Sequence, residues 1–74
     1  MIYQLYKTNP LEIKANAAYY TNEQGEMISF LFDPQNTDYA QFKAQILADE
    51  AQLQDTDGNT MSAAEAKEYI STLP

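Results

Sequence analysis

The stretch DTDGNTMSAAEA, residues 55–66, has the outline of a calcium loop. An EF-hand takes acidic or amide ligands at loop positions 1, 3 and 5, Gly at 6 and a bidentate Glu at 12. Asp55, Asp57 and Asn59 fill the first three positions. Thr60 then stands where the sharp turn needs Gly, and Ala66 stands where the Glu must be. Ser62 replaces the usual apolar residue. Gly58 comes two positions early and Glu65 one position short, so the Glu65 carboxylate would leave on another side of the helix. A tight turn followed by a helix cap accounts for all of these residues. The expectation is therefore no metal and no cofactor.

Paired carboxylates occur at Asp49/Glu50, Asp55/Asp57 and Glu65/Glu68. General acid–base catalysis needs one such group held against apolar walls with a displaced pKa. The pattern around these pairs is that of a helix or turn surface. With no His and no Cys, neither a Ser-His nor a Cys-His nucleophile can be built. Lys14, Lys43 and Lys67 sit among acidic neighbours, as solvated surface charges do. The two glycines, Gly25 and Gly58, are too far apart for a phosphate-binding loop. The expectation is a protein that is not an enzyme.

The six tyrosines are more informative, and the elements that carry them must be set out first. IYQLYK, residues 2–7, suits a strand, because Ile, Tyr and Leu favour a pleated surface. Asn9-Pro10 breaks it. From Leu11 to Tyr20 the chain alternates, with Leu11, Ile13, Ala15, Ala17 and Tyr19 on one face and Tyr20 on the other. That period of two predicts a half-buried strand. TNEQGE is a turn with Gly25 free to take positive φ. MISFLF, residues 27–32, predicts a second strand with Ile28, Phe30 and Phe32 on its core face. Tyr20, Met27 and Leu31 then fall on the second face of the sheet and form a candidate interface, since exposed apolar patches and tyrosines mark contact surfaces.

Asp33-Pro34 ends the second strand: Pro34 has no N–H for a ladder and biases Asp33 away from helical backbone. Asp38 is expected to cap a helix running to about Glu50, with Gln41 as its capping-box partner. Tyr39, Phe42 and Ile46, widened by Leu47, form the apolar stripe. Ser62 caps a second helix with Glu65 three residues on, and Ala66, Tyr69, Ile70 and Leu73 follow helical spacing. Met61 is placed to staple onto Ala66. The fold class is α+β: an N-terminal antiparallel β-hairpin or three-stranded sheet packed by two short C-terminal helices. The 74 residues read as one domain, with a β part over 1–33 and a helical part over 37–74.

A chain this short buries only about 60% of its unfolded surface, and no disulfide helps it. Association with other chains is the natural source of further burial. The net charge is −7 with no Arg. Residues 1–37 carry two Lys against four carboxylates, and residues 38–74 carry two Lys against seven. Neutralising phosphates needs basic residues, so direct nucleic-acid binding is not expected. No apolar run reaches membrane-spanning length, and MIYQLYK lacks the basic start and apolar stretch of a signal peptide. The expectation is synthesis in the cytoplasm with no membrane insertion.

MISFLFDPQNTDYAQFKAQI, residues 27–46, resembles a segment common in small proteins of tailed bacteriophages and in their tail-fibre-related proteins. There a short strand runs into a Phe-Asp-Pro-x-Asn-x-Asp-Tyr element and an amphipathic helix. Phe32, Asp33, Pro34, Asn36, Asp38 and Tyr39 match that pattern. LQDTDGNTMSAAEAKEYISTLP is similar to the C-terminal parts of small cyanophage-type proteins. The resemblance spans residues 27–74 and departs from the family in lacking the Trp that many of those helices carry. It implies a virion component made in the host cytoplasm, associated with tail, baseplate or fibre, that docks onto other phage proteins or onto itself as a homo-oligomer. The alternatives it leaves open are an acidic regulator of a host protein and a tail-fibre assembly chaperone.

Overall fold

The strand β1, Ile2–Tyr6, lies inside the sheet and sorts its own side chains. Tyr3 and Leu5 are buried, while Ile2, Gln4 and Tyr6 point the other way. It pairs antiparallel with β2, Ala17–Thr21, and β2 pairs antiparallel with β3, Met27–Leu31. Helix α1 follows over Thr37–Leu47, then a three-residue strand β4, Gln52–Gln54, and helix α2, Ala63–Ser71. The sheet order is β3-β2-β1-β4, with β4 parallel to β1. This computed structural model describes residues 1–74. The protein is α+β, with the sheet built from the N-terminal strands plus β4 and both helices on one of its faces.

The core lies between that sheet face and the helices. Tyr3, Leu5, Ala18, Phe30 and Leu53 come from the sheet, and Tyr39, Phe42, Ile46, Ala66 and Ile70 come from the helices. Phe42 is the hub. Its ring meets Tyr3 edge-on at 4.9 Å between centroids, Phe30 at 5.4 Å and Phe32 in a stacked arrangement at 5.9 Å. Offset and edge-to-face pairs of this kind add to the stabilisation from area burial. Phe32 and Tyr69 are partly buried and pack against this cluster, as does Met61 beside the start of α2.

Sequence and structure part company in four places. The expected strand over residues 11–20 is ordered as a strand only from Ala17. Leu11 and Ile13 are 87% and 90% exposed, so their alternation has no partner to bury it. The Asn9 side chain accepts from Leu11 N–H at 3.0 Å, turning the chain beside Pro10. Thr8 and Asn16 then close the loop through two hydrogen bonds, Thr8 N–H to Asn16 Oδ1 and Asn16 Nδ2 to Thr8 Oγ1.

The second correction is one of register. Tyr20 pairs with Ile28 and Ala18 with Phe30, which puts Tyr20 on the helix-covered face. The ring of Tyr20 meets Tyr3 edge-on at 5.3 Å. Tyr19, opposite Ser29, takes the outer face. A one-residue slip exchanges the two faces of a strand, and two adjacent tyrosines hide such a slip.

The third concerns the ends of α1. Asn36, not Asp38, is the N-cap: its Oδ1 accepts from Asp38 N–H at 2.8 Å and Tyr39 N–H at 3.3 Å. Pro34 sits in a turn closed by Asn36 N–H on Asp33 O at 2.8 Å, so Asn36 is the last extended residue and Thr37 is already helical. Asp38 keeps the favourable place for a carboxylate in the first turn, and Gln41 is free on the surface. The helix stops at Leu47 rather than Glu50. Glu50 N–H reaches back to Gln45 O and Asp49 N–H to Ile46 O, a Schellman closure. Asp49 occupies its left-handed position at φ 60°, where Gly is usual.

The fourth is β4. Leu53, expected only to flank a turn, is fully buried opposite Tyr3. Its strand is held by Gln52 N–H on Met1 O at 2.9 Å and by the parallel ladder to β1. The following residues turn at Gly58, φ 86°, and run back along β4. The predicted cap of α2 is present: Glu65 N–H donates to Ser62 Oγ and Ser62 N–H to the Glu65 carboxylate, both at 3.2 Å.

Candidate interaction surface

None of the four strands contains a charged residue. All four Lys and all eleven carboxylates belong to helices and connections. Both helices cover one sheet face, so the other carries no charged side chain of the sheet. Ile2, Tyr6, Tyr19, Met27 and Leu31 project from it. Met27 is 69% exposed, Leu31 53% and Ile2 50%. Tyr6 and Tyr19 lean on each other, 5.8 Å between ring centroids, and shield the backbone around the buried Ala17. Gln54, Gln4 and Ser29 share one cross-strand row with Tyr19, and Thr21 stands opposite Met27, so the apolar side chains of this face are set among uncharged polar ones. Exposed apolar groups and tyrosines mark contact surfaces.

Of the residues named from sequence for this surface, Met27 and Leu31 lie on it. Tyr20 lies on the opposite face, against Tyr3. Tyr6 and Tyr19 take its place. Sequence reasoning missed them because β1 carries large apolar residues on both faces, and because Ala17-Ala18 and Tyr19-Tyr20 read alike at a shift of one residue. The remaining named residues serve the fold. Phe30, Tyr39, Phe42, Ile46 and Ile70 are buried, Pro34 and Asp38 shape the entry to α1, and Ser62 and Glu65 cap α2.

The polar chemistry of the helix side is tied up in structure. Tyr3 donates its hydroxyl proton to Gln45 Oε1, and its pKa is pushed up to about 12 by burial first, then by Tyr20 and Asp38. Burial also raises Tyr39, whose hydroxyl donates to Pro74 O at 2.8 Å and whose ring carries Lys43 Nζ at 5.1 Å. Tyr69 is raised by burial and then by Tyr39. Raised phenols of this kind are neutral donors, suited to holding a core and not to abstracting protons. In the 55–59 turn, Asp55 Oδ1 accepts from the N–H groups of Asp57 and Asn59 at 2.9 and 3.0 Å. Asp49 pairs with Lys67 at 3.0 Å, an exposed contact of small energetic weight.

Comparison with known proteins finds no family model, no curated protein and no solved structure that matches the chain.

Proposed function

We propose that this chain is a non-enzymatic component of a tailed-phage virion, placed in the tail, baseplate or fibre, which acts by docking onto other phage proteins or a second copy of itself. The observation that supports the docking part is the outer sheet face: uncharged, with exposed aromatic and aliphatic side chains set among Gln, Ser and Thr, in a chain whose net charge is −7. A solvated sheet face that served solubility alone would carry Lys and Glu at alternate positions. The phage assignment is supported by the resemblance carried by Phe32, Asp33, Pro34, Asn36, Asp38 and Tyr39. On this reading the chain is made in the host cytoplasm and ends in the particle.

The acidic second half supports a second reading, a regulator that presents carboxylates of α1, α2 and their connections to a basic host protein. An assembly chaperone would use the same outer face but leave before the particle is complete. Mass spectrometry of purified particles separates the three. Abundant chain in the particle is the result the virion reading requires, and its absence from particles would sink that reading. Recovery from infected cells bound to a fibre protein but never in particles would establish the chaperone.

A further inference from the structure

The two edges of the sheet are finished differently. On the β4 side, the chain returns after Gly58 and closes the edge: Met61 N–H donates to Leu53 O at 2.8 Å, Asp55 N–H to Asn59 O at 2.9 Å, and Gln54 bridges to Thr60. On the β3 side nothing follows. The phase of the β2–β3 ladder is set by Phe32 N–H on Asn16 O at 3.1 Å and Asn22 N–H on Glu26 O at 2.9 Å. Ile28 and Phe30 therefore direct their backbone groups at β2, and Met27, Ser29 and Leu31 direct theirs outward. Only the Leu31 carbonyl has a partner there, Asp33 N–H at 2.9 Å. The edge carries none of the devices that normally block pairing: there is no charge, proline or glycine in Met27–Leu31.

We propose that β3 pairs edge to edge with β3 of a second copy, antiparallel about a two-fold axis at Ser29, joining two four-stranded sheets into one continuous sheet. In this register Ser29 faces Ser29 of the second copy, and Met27 faces its Leu31. Those are the residues whose N–H and C=O groups point outward, so each outward donor meets an outward acceptor, the Leu31 carbonyl taking its second donor beside Asp33 N–H. The same operation sets Met27 beside Leu31 of the second copy on the outer face, and Ile28 beside its Phe30 on the helix face. A strand that matches its own reverse in both hydrogen-bond phase and side-chain type is self-complementary, as a two-fold interface demands.

Charge also favours a second copy. The paired segment is neutral, so two acidic chains meet where neither carries a carboxylate, and a basic partner would find nothing on the edge to attract it. Glu26 and Asp33 flank the junction, and Glu26 of one copy comes near Asp33 of the other only at its two ends. The contact is small, so the pair is weak and forms only at high concentration. Pairing also lays the outer faces of the two copies side by side, doubling the uncharged surface offered to the rest of an assembly. The inference thus deepens the docking reading and names one of its contacts.

Sedimentation equilibrium of the free chain up to about 1 mM, the range of weak specific pairs, combined with amide exchange by NMR, tests it. A monomer–dimer equilibrium is expected, strengthening with salt as the flanking carboxylates are screened. The amides of Met27, Ser29 and Leu31 should gain protection as concentration rises. Ser29→Pro removes only an outward N–H, leaves the β2 ladder its donors, and should abolish dimerisation. Ser29→Glu sets two carboxylates face to face and should do the same with no change to the backbone donors. Tyr6→Ser, on the outer face of β1 and two strands in from the edge, should leave the dimer intact. A chain that stays monomeric throughout overturns the proposal, as does a dimer indifferent to Ser29→Glu or lost in Tyr6→Ser. Loss on added salt overturns it too. Particle mass spectrometry answers separately for the virion reading: a β3 dimer absent from particles sinks that reading alone, and a monomer found in particles sinks this one alone.

Discussion

Phe42→Ala removes the ring on which the aromatic core is assembled. The side chain is fully buried and in contact range of Tyr3, Phe30, Phe32 and Tyr39. Deleting a buried Phe costs about 3–5 kcal/mol from lost transfer energy and the cavity left behind. Four neighbouring rings stand around the gap, and stiff rings held at both sheet and helix collapse into it poorly, which places the cost at the upper end. A chain of 74 residues has roughly 4–11 kcal/mol of total stability at 0.05–0.15 kcal/mol per residue. The variant should therefore lose half or more of its stability. Urea denaturation followed by near-ultraviolet circular dichroism reads this directly, since the signal comes from the packed tyrosines. Phe42→Leu keeps most of the volume and should cost less than about 2 kcal/mol. A Phe42→Ala protein whose midpoint in urea matches that of the unmodified chain would refute the placement of α1 on the sheet.

Asn36→Ala should cost about 1 kcal/mol by removing the cap of α1, while Asp38→Ala costs less, because Asp38 contributes only through the helix dipole; thermal melts of the two variants rank them. Asp49→Val forces a β-branched side chain into left-handed backbone and should cost about 1–2 kcal/mol, whereas Asp49→Gly should not destabilise by a comparable amount; denaturant midpoints check both. Tyr3 titrates at about 12 in the fold against 10.0 for an ordinary tyrosine, because burial disfavours its anion. Its contribution is therefore complete below pH 10 and is lost as pH rises from 10 towards 12. Stability measured across that window should fall more gently in Tyr3→Phe than in the unmodified chain, and tyrosinate absorbance should show one group titrating late.

The parts of the fold that could be read from sequence are those decided by neighbours along the chain. Ser62 and Glu65 sit three residues apart and cap α2 as their spacing says. Asp33-Pro34 stops β3, and Tyr39, Phe42 and Ile46 make the buried stripe of α1. What failed was decided by partners far away. Gln52-Leu53-Gln54 has no local strand signal, and it is extended because β1 offers a parallel ladder and Tyr3 a neighbour for Leu53. Leu11 and Ile13 alternate correctly yet find no strand to pair with. The cap of α1 lay between two good acceptors two residues apart, and the turn at Pro34 chose Asn36.

The outer sheet face was half legible for the same reason. Met27 and Leu31 fell correctly because MISFLF has unequal faces. Tyr20 was misplaced because the residues on either side of it in AAYY give no clue to the register, which β3 fixes through Ile28. The open edge of β3 was not visible at all from sequence, since it depends on which strand ends up outermost.

If this chain docks through the uncharged side of its sheet, hydrogen exchange by mass spectrometry will show it when the free chain is compared with the chain in purified particles. Exchange should slow at Met27–Leu31 and along β1 and β2 in the particle, with α1 and α2 exchanging as they do in the free chain. Protection confined to the acidic helices, with β3 exchanging freely, would contradict it.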